Sequence, residues 1–124
     1  LFTLGTYLYK DDYLNTAEQM LNNMAPQFVS SAQPNFYANW AQLYLDFVRR
    51  PYEVAIVGPD YEEKRNTLMQ QYLPHVFLLG GEEEGSLELL KGKLQEGSTM
   101  IYVCQNKVCK LPVEDVEKAI TLMD

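Results

Sequence analysis

Glu53-Val54-Ala55-Ile56-Val57-Gly58-Pro59-Asp60 is the stretch on which the fold turns. Val54 to Val57 form an unbroken apolar run rich in β-branched side chains, which pack well on a pleated surface. Gly58-Pro59 then stops the run, so it reads as a short strand buried on both faces. Asp60 stands where a helix would begin, and Glu63 three residues later completes the pattern of a capping box. Leu68, Met69, Tyr72 and Leu73 supply the inner face of that helix, and Pro74 helps to end it. Val76-Phe77-Leu78-Leu79 is the next apolar run. Strand, helix and strand in this order predict a βαβ unit with parallel strands and a right-handed crossover.

Toward the carboxyl end, Gly80-Gly81-Glu82-Glu83-Glu84-Gly85 reads as an acidic loop. Ser86 to Leu90 is expected to form a short helix with Ser86 as its cap. Thr99 to Cys104 reads as a third strand and Val108 to Leu111 as a fourth, joined through Asn106-Lys107. A last helix follows Pro112, with Val113, Val116, Ala119, Ile120 and Met123 facing inward. Residues 51–124 are therefore predicted to be a small β-α-β-(α)-β-β-α domain with a mixed sheet.

Toward the amino end the period changes from that of strands to that of helices. Between Asp12 and Ala25 the apolar residues Tyr13, Leu14, Ala17, Met20, Leu21 and Met24 follow the stripe of an amphipathic helix. Asp11 is placed to cap it, and Pro26, which lacks a donor and clashes with the preceding turn, to end or kink it. A second helix is expected from Pro34 to about Val48. Its apolar residues Phe36, Tyr37, Trp40, Leu43, Tyr44, Phe47 and Val48 cover more than half its circumference, which predicts burial against more than one neighbour. Leu1-Phe2-Thr3-Leu4 has no basic stretch before it, unlike a signal peptide, and reads as the interior of a helix whose earlier turns are missing. Residues 1–50 thus form a helical half, and the fold class is α/β.

Composition sets outer bounds. The chain has 124 residues, of which 47% are hydrophobic and 22% charged, an ordinary globular balance. No apolar run approaches the roughly 20 residues of a membrane-spanning helix, so no membrane partner is expected. A net charge of −7 repels phosphate backbones, and the basic residues are scattered, so nucleic acid is not an expected partner either. Glu82-Glu83-Glu84 lacks the alternating ligand spacing of a calcium loop and reads as a solvated, flexible segment.

Few residues invite a chemical role. With a two-residue turn at Asn106-Lys107, Gln105 would face Val108 and Cys104 would face Cys109. That second pair would not exchange hydrogen bonds, and its Cα atoms would lie about 4.5 Å apart. Two reduced thiols in a cytosolic protein, a labile cross-strand disulfide and a metal site are the three readings of this pair. Zinc requires four ligands, and the only histidine, His75, is distant in sequence. No catalytic partner for His75 follows from spacing, and Gly58-Pro59-Asp60 lacks both the glycine pattern and the lysine of phosphate-binding loops. Tyr37, Asn39 and Trp40 could line a sugar-binding cavity, since aromatic faces stack on sugar rings; the same residues also suit helix packing. No catalytic residue, metal or cofactor is assigned from the sequence.

Several segments, in order, resemble one family: Leu4-Gly5, Tyr13 to Leu21, Pro34 to Phe47, Val54 to Gly58, Tyr72-Leu73-Pro74, and Tyr102 to Pro112. The most specific is Tyr102-Val103-Cys104, four residues, Cys109, two residues, Pro112. The chain resembles the carboxy-terminal part of the long thioredoxin-domain-containing proteins. In that family a thioredoxin-like domain precedes an (α/α)6 toroid similar to N-acylglucosamine 2-epimerases and six-hairpin glycosidases, and a small α/β tail follows. The resemblance implies that residues 1–50 are the last helices of the toroid and that residues 51–124 are the tail. It implies a non-catalytic piece of a cytoplasmic protein that completes the toroid, with the remainder of its own parent chain as partner. A sugar-binding or sugar-isomerising toroid is the alternative, with its small-molecule ligand unknown, and a redox element at Cys104/Cys109 is another. The family's redox cysteines belong to the thioredoxin domain and do not carry over to Cys104 or Cys109.

Overall fold

The structure, a computed structural model, describes residues 1–123. The chain divides between Arg50 and Pro51 into two compact units.

The first unit is helical: α1 spans Phe2–Leu8, α2 Asp11–Ser30 and α3 Ala38–Val48. Tyr9 and Lys10 alone connect α1 to α2. Tyr9 adopts a left-handed conformation (φ 52°), and the Lys10 N–H donates back to the Gly5 carbonyl at 2.9 Å. Gly5 permits the close approach of the two helices, since a Cβ there would lie 2.9 Å from Leu14 Cδ2. The Phe2 ring meets Phe47 edge-on at 5.0 Å, and the Arg50 guanidinium lies over Phe47 at 4.7 Å. Phe28 meets Tyr44 edge-on at 6.2 Å.

Three expectations for this half are corrected. Pro26 does not end α2, which continues to Ser30. Pro26 cannot donate to the Asn22 carbonyl, but both residues are exposed, so water can satisfy that oxygen. The packing of Phe28 on Tyr44 also holds the final turn. Asp11 is the first residue of α2 rather than its side-chain cap; there its charge favours the positive end of the helix dipole. Pro34–Tyr37 is a 3-10 turn leading into α3, so the second expected helix is two joined pieces.

The second unit contains β1 (Tyr52–Val57), α4 (Tyr61–Met69), β2 (Val76–Gly81), β3 (Met100–Gln105), β4 (Val108–Cys109) and α5 (Val116–Thr121). The sheet order is β2-β1-β3-β4; β1 and β2 run parallel, and the other pairs are antiparallel. The fold class is therefore α/β with a mixed sheet and a helical amino-terminal half. Val54, Ile56, Ile101 and Val103 share one face of the sheet and pack with Leu68 of α4, Ala119 of α5 and Met123. Glu53, Ala55, Val57, Tyr102 and Cys104 occupy the opposite face and are also buried, which explains why β1 and β3 lack a polar alternation.

A long-range contact replaces one of the expected local ones. The Asp60 side chain makes no capping hydrogen bond; instead its N–H donates to the buried Thr99 Oγ1 at 2.9 Å. Thr99 thus precedes β3 and pins the β1–α4 turn, where Gly58 has φ 136° and a Cβ would lie 2.6 Å from the Ser98 carbonyl oxygen. Ser86 caps no helix, because only a 3-10 turn over Glu88–Leu90 forms there, preceded by Leu87. Nor is the acidic loop wholly solvated. Glu84 accepts the N–H groups of Gly92 and Leu94, each at 2.9 Å, and these bonds hold its carboxyl below the usual range.

A candidate redox hairpin

The β3–β4 turn is built from Asn106 (φ 52°) and Lys107 (φ 67°). Two successive positive φ values are those of a type I′ turn, whose twist matches that of the flanking strands. The turn fixes the register: Gln105 pairs with Val108, and Cys104 pairs with Cys109. The two sulfurs lie at bonding distance, 2.03 Å apart, so the hairpin geometry accommodates a disulfide between them. The Cα atoms of Cys104 and Cys109 lie 3.8 Å apart rather than at the expected separation. This is closer than about 4.5 Å, the usual spacing of a pair without mutual hydrogen bonds.

Beyond the disulfide the ladder is irregular. The Lys110 N–H donates to the Val103 carbonyl at 2.9 Å, while Ile101 and Val113 exchange bonds of 2.7 and 3.0 Å. Leu111 and Pro112 therefore stand together opposite Tyr102, forming a bulge where the missing proline donor is tolerated. The Lys110 ammonium donates to the Leu122 carbonyl and lies over the Tyr52 ring at 5.7 Å, tying the hairpin to the end of α5.

The surroundings of the two sulfurs differ. Cys104, in an inner strand, is 1% exposed, whereas Cys109 in the outer strand is half-buried. Glu53 of β1 lies directly across from Cys104 in the antiparallel register, and Phe77 of β2 lies across from Glu53. Directly opposed residues share a face, so Phe77, Glu53, Cys104 and Cys109 form one row across the sheet. Glu53 is only 6% exposed. Sequence reading did not single out Glu53; a carboxylate opening an otherwise apolar strand was the available signal, but its alignment with Cys104 depends on non-local pairing.

The other candidate residues lie elsewhere. Asn39 and Trp40 help to line an open cavity of about 310 Å³ in the helical unit, together with Phe2, Ala17, Met20 and Leu43. Tyr37 is not among its lining residues. A larger depression, about 560 Å³, lies past the ends of β1 and β2 and is bordered by Asp60, Glu62, Glu63 and Glu82. Its carboxylates oppose an anion, and the Tyr61 hydroxyl there donates to Glu62 at 3.2 Å, which raises the phenol pKa. His75, just before β2, accepts the Tyr52 N–H through its carbonyl at 2.8 Å. Among the described residues, no three His, Cys, Asp or Glu side chains converge to hold a metal ion. No described helix is long and apolar enough to cross a membrane.

No protein-family model, no curated protein and no solved structure matches this chain.

Proposed function

We propose that this chain is a non-catalytic part of a larger cytoplasmic protein, in which α1–α3 complete a helical toroid and the α/β unit serves as its cap. The observation that carries this reading is the surface of α3 and its leading turn. No residue of α3 is buried, and Phe36 and Val48 remain 74% and 67% exposed. Apolar side chains spread around a helix in this way suit contact with further helices, and the proposed occupant is the remaining helical part of the same polypeptide. The resemblance to the long thioredoxin-domain-containing proteins supports that assignment.

The test is a full-length parent protein truncated after Arg50. Loss of its folded helical domain or a change in its oligomeric state is the expected result. Unchanged folding and assembly would remove the capping role.

The cavity beside Asn39 and Trp40 favours a second reading, in which the toroid binds a sugar. Trp40→Ala in the parent should then abolish a sugar-dependent rise in thermal stability. A Trp40→Ala protein that still responds to the sugar would exclude the residue from binding.

A further inference from the structure

We propose that the Cys104–Cys109 disulfide is an exchangeable redox element, opened by an external dithiol that attacks Cys109. Three independent features lead there. The first is backbone geometry: a Cα separation of 3.8 Å lies below the usual lower limit of about 4.4 Å for disulfides. Breaking the bond lets the two strands relax toward the spacing of an ordinary antiparallel pair, which favours the reduced form. The second is access. A thiolate must reach one of the two sulfurs, and Cys104 is 1% exposed in an inner strand whereas Cys109, on the outer two-residue strand, is only partly buried. The third is local charge: residues 105–111 contain Lys107 and Lys110 and no carboxylate, in a chain whose net charge is −7. An anionic thiolate therefore meets less repulsion at this hairpin than the net charge of the chain alone would impose.

The exchange balances as follows. One thiolate of the dithiol forms a bond to Cys109 Sγ, the Cys104–Cys109 bond breaks, and Cys104 leaves with the electron pair and takes up a proton from water. The second thiol of the reductant loses its proton and attacks its own partner sulfur in the mixed disulfide, releasing Cys109 as a thiolate. The reductant is oxidised to a disulfide by two electrons and the hairpin is reduced by two. Burial beside Glu53 disfavours charge on Cys104 and makes it the poorer leaving group, which slows the first step. Access, not leaving-group quality, decides which sulfur is attacked.

The test uses the intact chain under native conditions. It is exposed to millimolar dithiothreitol, quenched with acid, alkylated and analysed by mass spectrometry. Opening without denaturant is expected; a bond that opens only after unfolding would overturn the proposal. A brief exposure to reduced glutathione, followed by peptide mapping, identifies the attacked sulfur. The adduct should fall on Cys109 in roughly ten-fold excess over Cys104, as access dictates; equal labelling or an excess on Cys104 would overturn the assignment. A chain isolated with both thiols free should close on addition of oxidised glutathione, and failure to close would also sink the idea. Because these measurements use the unsubstituted chain, none depends on a variant that might not fold.

Discussion

Gly80 in β2 stands opposite Ile56 in β1, and a Cβ on Gly80 would fall 2.2 Å from the Ile56 carbonyl oxygen. The obstacle is backbone in a central strand, so it cannot swing aside as a flexible side chain would. Gly80→Ala should force β1 and β2 apart and destabilise the α/β unit by roughly 1–3 kcal/mol, the usual cost of overpacking. Urea denaturation followed by circular dichroism checks this; an unchanged midpoint would show that the strands are not held in this register.

Leu68 and Met69 are neighbours in α4 with opposite environments, one wholly buried against the sheet and the other 64% exposed. Leu68→Ala should cost about 2–5 kcal/mol through lost apolar contact and the cavity left behind. Met69→Ala should stay within roughly 0.5 kcal/mol. Paired denaturation curves separate the two, and similar losses would mean that α4 is rotated from the face described.

Lys107 occupies the second position of the type I′ turn with φ 67°, a conformation that costs a side-chain-bearing residue more than glycine. Lys107→Gly, which produces the favoured Asn-Gly turn, should stabilise the hairpin by about 0.5–1 kcal/mol despite the added freedom of the unfolded chain. The measurement is thermal or urea unfolding with the disulfide intact. Destabilisation would indicate that the Lys107 side chain matters more than its backbone.

Glu84 supplies a pH dependence whose sign is fixed. Bonds from the Leu94 and Gly92 N–H groups lower its pKa below the ordinary value of 4.5, so the folded loop favours the charged form. This contribution is fully present above that value and is lost as pH falls through the lower, folded-state value. Amide exchange at Gly92 and Leu94, corrected for intrinsic rates, should therefore lose protection on acidification below 4.5. Glu84→Gln should lower that protection at neutral pH and flatten its dependence on pH.

Legibility in the sequence followed the range of each interaction. The apolar runs Val54–Val57 and Val76–Leu79 identified β1 and β2, because burial on both faces leaves little room for polar residues. A two-residue turn sufficed to align Cys104 with Cys109, since hairpin register is a local matter. Pro26 does not end α2 because Phe28 and Tyr44, which meet only in the folded helical unit, pack the turn beyond it. The capping box at Asp60 failed for a similar reason: Thr99, 39 residues away, takes the N–H that Glu63 was expected to engage. Glu53 escaped notice because its place opposite Cys104 arises from pairing between strands distant in sequence.

The bulge at Leu111 and Pro112 bears on how these molecules behave in a crowd. β4 is the outer strand, contributes only two residues and is followed by a proline without an N–H. A strand from a second molecule would find too few evenly spaced donors and acceptors there to extend the sheet, so this edge is guarded against templated aggregation. The same brevity leaves Cys109 at the rim. Protection from unwanted strand addition and exposure to thiol chemistry thus arise from one irregularity.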